Sequence, residues 1–462
     1  MKIIDFFKKD DQRATIYLIG QALTQILVTV SVLIFGRILP AREYGIVAVY
    51  TTWSTFLTYF IGLQAHGTLG IAKVHKTDVY KEYCGIPYVL TFLTSAAMCG
   101  AALLGHRQIE RLSDMSLWIV LFMIIHTTGL VCFHIQNSIY RLDMKAVSYV
   151  ANNLLVNVAS IGLSVVLVII FKSERATGRI LGLGIPYIVW GACFGAQALK
   201  RGISHKKELY QYCVRLSIPL IFHGISAQIL SHSDTLMLAS MCDETEAGIY
   251  SFCYSIASPL TGIWSAFNTA WQPDYLQNAK SKNGEWIREH SGNYLFTFTA
   301  LVCGYILIGQ DVLRILGARE YWKGAGIITL ITIATYFQFL YSFPCNYEFF
   351  MGRTKMIAIG TVISAAVNVA INWMLIPAYG IYAAALSTIV AYGMLFLLHD
   401  LFARKLGGYH YSWSFYLKGI LPVACCALVS YLWTEQVVLR WGMGVMVAVI
   451  LGARLWKKKA LL

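Results

Sequence analysis

The sequence predicts an all-α integral membrane protein of about 14 transmembrane helices, built as two six-helix lobes followed by two further helices. Three observations support this fold class. Of 462 residues, 57% are hydrophobic and 13% are charged, whereas roughly 25% of the residues of a soluble globular protein are charged. The apolar residues form runs of about 20, the length that crosses about 30 Å of hydrocarbon. In addition, short motifs of the first half recur in the second.

Successive apolar runs, separated by short polar connectors, each predict one membrane-spanning helix. In the first half the runs are Ala14–Gly36, Tyr44–Gln64, Cys84–Leu104, Ser116–Gln136, Ala146–Phe171 and Ile180–Leu199. The second half has Val214–Met237, Ala247–Ala270, Tyr294–Leu316, Ile327–Tyr347, Lys355–Ile376 and Ile381–Leu401, and the chain continues with Ser414–Leu432 and Val437–Leu455.

Motifs that return after about 203 residues indicate that the two halves are copies of one unit. Because a six-helix unit is even, both copies enter the membrane from the same side, which predicts a parallel pseudo-twofold repeat. Such pairs hold their substrate near the midplane and rock against each other. The predicted segments are 1–204 (leader and first lobe), 205–404 (second lobe) and 405–462 (last two helices and tail). The matched motifs are Gln25-Ile26-Leu27, Leu33 and Glu43-x-Gly45-Ile46 with Gln228-Ile229-Leu230, Leu236 and Glu246-x-Gly248-Ile249, then Val156-Asn157-Val158-Ala159 with Val367-Asn368-Val369-Ala370.

The basic residues predict the orientation of the chain. With a cytoplasmic N-terminus, cytoplasmic segments hold roughly 24 Lys and Arg residues and external loops about 11, as the positive-inside rule requires. Both termini are therefore expected in the cytoplasm, with the leader Met1–Arg13 lying at the membrane interface. The net charge of +14 follows from this topology, because the charges lie in short loops and not in a stripe with interleaved aromatic residues. We expect no nucleic-acid partner.

Several classes of protein are excluded by what the sequence lacks. It has no G-x-x-x-x-G-K-[ST] phosphate loop and no soluble segment longer than about twenty residues that would form a nucleotide-binding domain. It has no large external loop with paired carboxylates or a Ser-His-Asp set. Its eleven cysteines follow neither a disulfide framework nor a zinc pattern. The sequence therefore predicts a protein that moves a solute, with no catalytic residues, no metal and no cofactor.

Polar residues within the predicted helices are the candidates for a functional site, because each is costly in hydrocarbon. The seventh helix carries Arg215, His223 and Asp234. His223 and Asp234 are eleven residues apart, which places them on one helix face, and Pro219 allows a bend between Arg215 and His223. Asp234 and His223 are the candidates for ion coupling. The alternative is that Arg215 and Asp234 extend to the two interfaces.

Further candidates lie on other helices and have two possible roles. Each side chain is either a hydrogen-bonding link between helices or part of a polar cavity that admits sugars or phosphates. With Arg215 and His223, the candidate cavity residues are His126 and His134 on the fourth helix, Asn268 and Trp271 on the eighth, Asn346 on the tenth and Asn368 on the eleventh.

Three motifs resemble those of a known family, the polysaccharide transporter branch (O-antigen and oligosaccharide flippases) of the multidrug/oligosaccharidyl-lipid/polysaccharide (MOP) superfamily, which has a MATE-like fold. The resemblance spans nearly the whole chain. Alanine stands at position 383 where glycine is commoner in the family. The motifs are Gly36-Arg37-Ile38-Leu39-Pro40-x-x-Glu43-Tyr44-Gly45, the region from Asp234-x-Leu236-Met237-Leu238 through Glu246-Ala247-Gly248-Ile249-Tyr250-Ser251 to Trp271-x-Pro273, and Pro377-Ala378-Tyr379-Gly380-Ile381-x-Ala383-Ala384-Ala385-x-x-Thr388.

The resemblance implies a V-shaped pair of lobes around a central cationic cavity. It implies a flippase that moves polyprenyl-diphosphate-linked oligosaccharides from the inner to the outer leaflet of a bacterial inner membrane by alternating access, with H⁺ or Na⁺ as the coupling ion. The implied partners are the lipid-linked oligosaccharide, membrane lipids and proteins of polysaccharide polymerisation and assembly. Arg215 and a protonated His223 are the expected ligands of the diphosphate.

Three alternatives remain open at this point. A MATE-type drug/cation antiporter calls for acidic residues in the first lobe, which here contains almost no intramembrane carboxylate. A flippase of the peptidoglycan precursor lipid II also has fourteen helices. A membrane glycan polymerase or ligase is the enzyme-class alternative, and it calls for an external catalytic loop that the sequence lacks.

Overall fold

A computed structural model describes residues 11–108, 115–200, 204–407 and 411–458, and long α-helices make up most of this part of the chain. Short helical segments at Ala65–Thr68, Leu69–His75, Thr77–Val79, Tyr80–Tyr83 and Arg319–Gly324 connect some of them. The long helices are α1 (Asp11–Ile38), α2 (Ala41–Phe60), α3 (Ile86–Leu104), α4 (Leu117–Leu142), α5 (Ala146–Ile170), α6 (Arg175–Lys200), α7 (Lys207–Met241), α8 (Glu244–Lys280), α9 (Gly284–Leu316), α10 (Ala325–Phe350), α11 (Thr354–Lys405), α12 (Trp413–Leu432) and α13 (Val437–Lys458).

By length and composition, 11 helices of the described residues are able to cross a membrane, or 12 if the bent pair Ala41–Phe60 and Ala65–His75 is one span. The predicted count of fourteen is not confirmed. Two features account for the difference. Helix α8 covers the eighth predicted run, but it is not among the helices whose length and apolar composition would let them cross a membrane. Helix α11 covers two predicted runs and counts once, although Gly380 (φ 51°, ψ −132°) breaks it into limbs 354–379 and 381–405.

The chain divides into two compact units, which are described separately. Unit 1 contains Met1–Ser31 and Ile46–Gln228, and unit 2 contains Val32–Gly45 and Ile229–Leu462. The boundary within the seventh helix follows Gln228, so Arg215 belongs to unit 1 and Asp234 to unit 2. The division into segments 1–204, 205–404 and 405–462 stays a prediction.

In unit 1, small residues let the helices approach one another closely. A methyl group on Gly191 of α6 would lie 2.5 Å from the Cα of Gly129 on α4. A methyl group on Gly182 of the same helix would lie 2.3 Å from the Cα of Ser164 on α5. Small residues at helix crossings are typical of membrane bundles, where dispersion contacts replace the hydrophobic driving force.

In unit 2, an aliphatic core and an aromatic core lie along the same helices. The aliphatic core packs α8 against α9, α10 and α11 around residues such as Ile249, Ile328 and Ile381. The aromatic core contains Trp271 and Phe339, against which α12 also packs. The two cores fix the relative positions of the helices that carry most of the intramembrane polar residues.

The end of α1 and the connector after it are joined to the end of α9 and to the segment Arg319–Gly324 by side-chain hydrogen bonds to backbone carbonyl oxygens. The Arg37 Nε donates to the carbonyl oxygen of Leu316 at 2.9 Å. The Tyr321 hydroxyl donates to the carbonyl oxygen of Leu39 at 2.8 Å. These bonds explain why Val32–Gly45 clusters with unit 2.

Candidate functional site

The Asp234 carboxylate is the centre of a buried polar site in unit 2. Asp234 is 1% exposed. Its Oδ2 accepts hydrogen bonds from the Tyr250 hydroxyl of α8 at 2.6 Å and from the Thr388 hydroxyl of α11 at 2.7 Å. Its Oδ1 accepts one from the Asn372 Nδ2 at 2.5 Å. Residues from α7, α8 and both limbs of α11 therefore converge on one carboxyl group.

A second layer of hydrogen bonds holds the groups that contact Asp234. The Asn372 Nδ2 also donates to the Asn368 Oδ1 at 3.3 Å, and the Ser233 hydroxyl donates to the same oxygen at 3.1 Å. The Ser387 hydroxyl donates to the Asn372 Oδ1, and the Asn368 Nδ2 donates to Ser387 at 3.3 Å. The orientation of each side chain is thereby fixed by its neighbours.

The Asp234 carboxylate is surrounded by neutral hydrogen-bond donors. Within the described ranges, no Lys, Arg or His forms an ion pair with Asp234. An isolated charge buried in this way is costly, so the group is stabilised either by taking up a proton or by binding a cation. The surrounding carboxylate, amide and hydroxyl oxygens are hard donors, the kind that small cations prefer. No group of three or more His, Cys, Asp or Glu that would hold a metal ion occurs in the described part of the chain.

The sequence singled out Asp234 and Asn368, and the structure brings them into this one site. Asn368 is linked to Asp234 by Asn372, whose side-chain amide donates a hydrogen bond to each of them. The sequence reasoning did not assign Tyr250, Ser387 and Thr388 to it, whereas Asn372 was recognised with Asn368 as a polar residue of the eleventh predicted helix. The four-residue spacing of Asn368 and Asn372, which places both on one helix face, was the signal that pointed to Asn372.

A second polar group of unit 2 joins α8 to α10. The Asn346 Nδ2 donates to the Asn268 Oδ1 at 3.0 Å, and the Gln272 Nε2 donates to the Asn346 Oδ1 at 3.1 Å. Asn346 is buried and Asn268 is half-buried. Trp271 is buried against Trp286, with parallel rings 5.6 Å apart. Of the candidates in this region, Asn268 is the one with a partly exposed side chain.

The two histidines of α4 have different surroundings in unit 1. His126 is buried, and its Nδ1 shares a hydrogen bond of 2.9 Å with the Tyr50 hydroxyl. His134 is exposed, and its ring stacks on that of His66 at 5.9 Å. His126 is thus held by its hydrogen bond with Tyr50, whereas the imidazole rings of His134 and His66 lie next to each other.

Arg215 lies on an open part of α7. It is exposed and lines a shallow groove of about 580 Å³ with residues such as Lys207, Gln211 and Pro219. Arg215 forms no ion pair with a carboxylate of the described residues. The backbone of His223 belongs to α7, but its side chain lies outside the described part of the structure.

The family assignment comes from comparison with known proteins. Residues 12–276 match the family described as "Polysaccharide biosynthesis protein". This chain belongs to that family. The resemblance to the polysaccharide transporter branch is thereby confirmed. A relative from Haemophilus influenzae (strain ATCC 51907 / DSM 11121 / KW20 / Rd), "Lsg locus putative protein 1", is 21% identical over 366 residues, which cover 77% of this chain and 89% of that protein.

Solved structures show the fold of this family member. A structure titled "Lipid II flippase MurJ, inward closed conformation" matches with a TM-score of 0.77 and 15% identity, over 96% of this chain and 99% of that one. An inward-facing MATE family multidrug resistance transporter of the MOP superfamily matches with a TM-score of 0.58 and 13% identity, over 85% and 98%. The predicted all-α membrane fold of the MATE/MOP type is confirmed.

Proposed function

We propose that this chain moves a polyprenyl-diphosphate-linked oligosaccharide repeat unit from the inner to the outer leaflet of a bacterial inner membrane. Membership of a polysaccharide biosynthesis family supports the class of cargo. A fold shared with a protein titled as a lipid II flippase supports the kind of movement. Transport proceeds by alternating access, is coupled to H⁺ or Na⁺ and serves surface polysaccharide biosynthesis. The protein acts as a transporter without a bound cofactor.

The observation that carries this proposal is the buried Asp234 carboxylate with its three neutral donors. A structural carboxylate in a membrane protein is normally paired with a cation. Asp234 has no cationic partner among the described residues, so each loss of its proton or bound cation leaves an uncompensated charge. The protonation or cation occupancy of such a group changes with an ion gradient. The hydrogen bonds that it accepts from its neighbours change with it. An ion-coupled transporter needs this property.

Arg215 supports the cargo part of the proposal. A guanidinium binds phosphate oxygens in a bidentate manner, which an ammonium group does not reproduce. Arg215 is exposed along a groove and has no described carboxylate partner that would neutralise it. It is therefore free to bind a diphosphate while the prenyl chain stays in lipid.

The test is a flipping assay in vesicles that contain the purified protein and a fluorescent polyprenyl-diphosphate oligosaccharide. We expect Arg215→Gln to reduce the initial rate at least tenfold and Arg215→Lys to restore it in part. The matched control is Lys206→Gln, which removes an exposed charge that pairs with Glu82. Equal rates for Arg215→Gln and the control would exclude Arg215 from binding the diphosphate. A wild-type rate no higher than that of protein-free vesicles would exclude the flippase function itself.

The second candidate function is flipping of the peptidoglycan precursor lipid II. It is favoured by the higher TM-score of the MurJ structure, 0.77 against 0.58 for the MATE transporter. A growth test in bacteria depleted of lipid II flipping separates the two. Rescue by this chain would support lipid II as cargo. Rescue of surface glycan export alone, in cells that lack their oligosaccharide flippase, would support the first candidate.

The proposed location is the bacterial inner membrane, with both termini in the cytoplasm. The excess of basic residues in the loops assigned to the cytoplasm supports this orientation. In this membrane the lipid-linked oligosaccharide and the bilayer lipids are the direct partners, and polysaccharide polymerase and assembly proteins act on the flipped product.

A further inference from the structure

A cavity of about 500 Å³ lies in unit 2 between α9, α12 and α13. Its volume is within the range of about 300–1,000 Å³ that is usual for small-molecule sites. The last two helices lie outside the repeated six-helix units, so the sequence repeat provides no counterpart for this cavity. None of the residues of the Asp234 site lines it.

Each of the three helices contributes one cation to the lining of this cavity. The cations are Arg288 at the start of α9, Lys418 near the start of α12 and Arg454 near the end of α13. In the predicted topology α12 runs parallel to α9 and α13 runs back, so all three cations lie toward the side of the membrane that the positive-inside rule assigns to the cytoplasm.

The cations are held by neutral groups. The Arg454 guanidinium lies 3.9 Å from the centre of the Phe296 ring and donates to the Asn293 Oδ1 at 3.4 Å. The Arg288 Nε donates to the carbonyl oxygen of Gly284 at 3.5 Å. No carboxylate of the described residues forms an ion pair with Arg288, Lys418 or Arg454. The three positive charges of the cavity lining therefore have no ion-pair partner among the described residues.

Away from the cations, the cavity is lined by apolar and small side chains. On α9 the lining extends from Arg288 to Cys303, which is about 22 Å along the helix axis at 1.5 Å per residue. On α12 it continues to Cys426, and on α13 it includes Val447. The cavity is thus charged at one end and apolar along the rest, which is the shape and polarity of an amphiphile.

We propose that this cavity is a binding site for an anionic phospholipid of the bilayer. The headgroup phosphate binds to Arg288, Lys418 and Arg454, and one acyl chain lies along the apolar wall. Clusters of basic residues between membrane helices at the cytoplasmic interface attract anionic headgroups in this way. Charge complementarity selects phosphatidylglycerol or cardiolipin over a zwitterionic lipid. A bound lipid fills the space between α9 and the helices α12 and α13.

The test measures lipid retained by the full-length protein, so its result does not depend on transport. The purified protein is mixed with vesicles of phosphatidylcholine that contain phosphatidylglycerol, and bound lipid is counted by native mass spectrometry. The test variant combines Arg288→Gln, Lys418→Gln and Arg454→Gln. The matched control removes three exposed charges from the same membrane face with Lys280→Gln, Arg353→Gln and Lys355→Gln.

We expect the test variant to bind phosphatidylglycerol on the order of a hundredfold more weakly than the wild type, from roughly fivefold for each of the three cations. The control keeps wild-type binding. Equal losses in the two variants, or equal binding of phosphatidylcholine by the wild type, would overturn the proposal. Displacement of phosphatidylglycerol by inorganic phosphate would show a phosphate site without lipid selection and would also overturn it. Preferential binding of undecaprenyl phosphate would assign the cavity to the cargo instead.

A second variant tests the apolar part with the charges intact. A side chain on Gly292 of α9 points into open space within the cavity, since a Cβ there has no atom within 4 Å. We expect Gly292→Leu to weaken phosphatidylglycerol binding at least tenfold by occupying the path of the acyl chain. The control is Gly442→Leu on α13, which also meets open space but does not line the cavity. Unchanged binding to Gly292→Leu would contradict the proposal.

Discussion

Gly45 and Gly248, which are equivalent in the two copies of the sequence repeat, lie against each other's helix. A methyl group on Gly45 would lie 1.7 Å from the carbonyl oxygen of Glu244, and one on Gly248 would lie 1.9 Å from that of Ala41. Both glycines belong to unit 2. The start of α2 and the start of α8 therefore cross with no room for a side chain. The repeat places the same small residue on both sides of this crossing.

We expect Gly45→Ala and Gly248→Ala to destabilise the protein by about 2 kcal/mol each, as overpacking against a backbone does. The usual effect of Gly→Ala in a helix is the opposite, a gain of about 1 kcal/mol. Thermal unfolding in detergent measures the difference. Gly442→Ala on α13 is the control, because nothing lies within 4 Å of its Cβ position. Wild-type Tm values for the two crossing variants would refute the close packing of these helices.

The Thr388 hydroxyl is expected to set the affinity of the Asp234 site for its ion. Thr388→Val removes one of two hydrogen bonds to Oδ2 while keeping the shape of the side chain. Hydrogen bonds to charged groups contribute roughly 1.5–3 kcal/mol, so the ion concentration for half-maximal transport should shift at least tenfold. The control is Thr361→Val on the same helix, where the hydroxyl donates to the Ile357 carbonyl oxygen. Similar shifts in both variants would contradict a special role for Thr388.

A buried ion pair anchors the last helix to α9. The Arg440 Nη2 lies 2.8 Å from the Asp311 Oδ1, and both side chains are buried. We expect Arg440→Leu to destabilise the protein by about 3–5 kcal/mol, because it leaves Asp311 buried without its partner. Arg42→Leu breaks the exposed pair with Glu244 and should change stability by less than about 1 kcal/mol. Equal effects in thermal unfolding would show that the buried pair does not anchor the helix.

Cys242 tests the proposed orientation of the chain. It is exposed in the turn between α7 and α8, which the proposed topology places on the external side of the membrane. A membrane-impermeant maleimide should label it in intact cells, and Cys242→Ser should remove this labelling. Ser281→Cys, in the connector after α8 and combined with Cys242→Ser, should be labelled after lysis alone. Labelling of Ser281→Cys but not of Cys242 in intact cells would reverse the orientation.

The pH dependence of this labelling follows from the surroundings of the thiol. Although Cys242 is exposed as a residue, partial removal of its thiol from water raises its pKa above the usual value, and the carboxylates of Glu246 and Asp243 raise this pKa further. Because the thiolate is the nucleophile, a raised pKa makes labelling slow near neutral pH. The rate should still increase above the pKa of a free cysteine. A rate that levels off below pH 8 would contradict the raised pKa.

The sequence predicted the positions of the helices better than their lengths. Helix α7 begins at Lys207 and α8 ends at Lys280, beyond the apolar runs Val214–Met237 and Ala247–Ala270. Hydropathy marks the part of a helix that lies in hydrocarbon, whereas backbone hydrogen bonds continue into the polar connectors. The number of helices also differs from the number of apolar runs, because α11 contains two such runs joined at Gly380.

The candidate site was predicted in part. Asp234 and Asn368 were recognisable because polar side chains are costly within an apolar run. Their convergence with Tyr250 and Thr388 was not, since the hydrogen-bond partners lie up to 154 positions away and spacing gives no information on which helix faces meet. Trp271 illustrates the same limit, because the ring that stacks on it, Trp286, comes from the start of the next helix.

The proposed function requires the Asp234 site to couple an ion gradient to the flipping of a lipid-linked oligosaccharide. The most direct measurement is the rate of flipping in proteoliposomes with an imposed H⁺ or Na⁺ gradient, for wild type and Asp234→Asn. The control is Asp274→Asn, the same change at an exposed position of α8. We predict that one gradient accelerates the wild type and Asp274→Asn, and that Asp234→Asn does not respond to either. An Asp234→Asn protein that still follows the gradient would contradict the account.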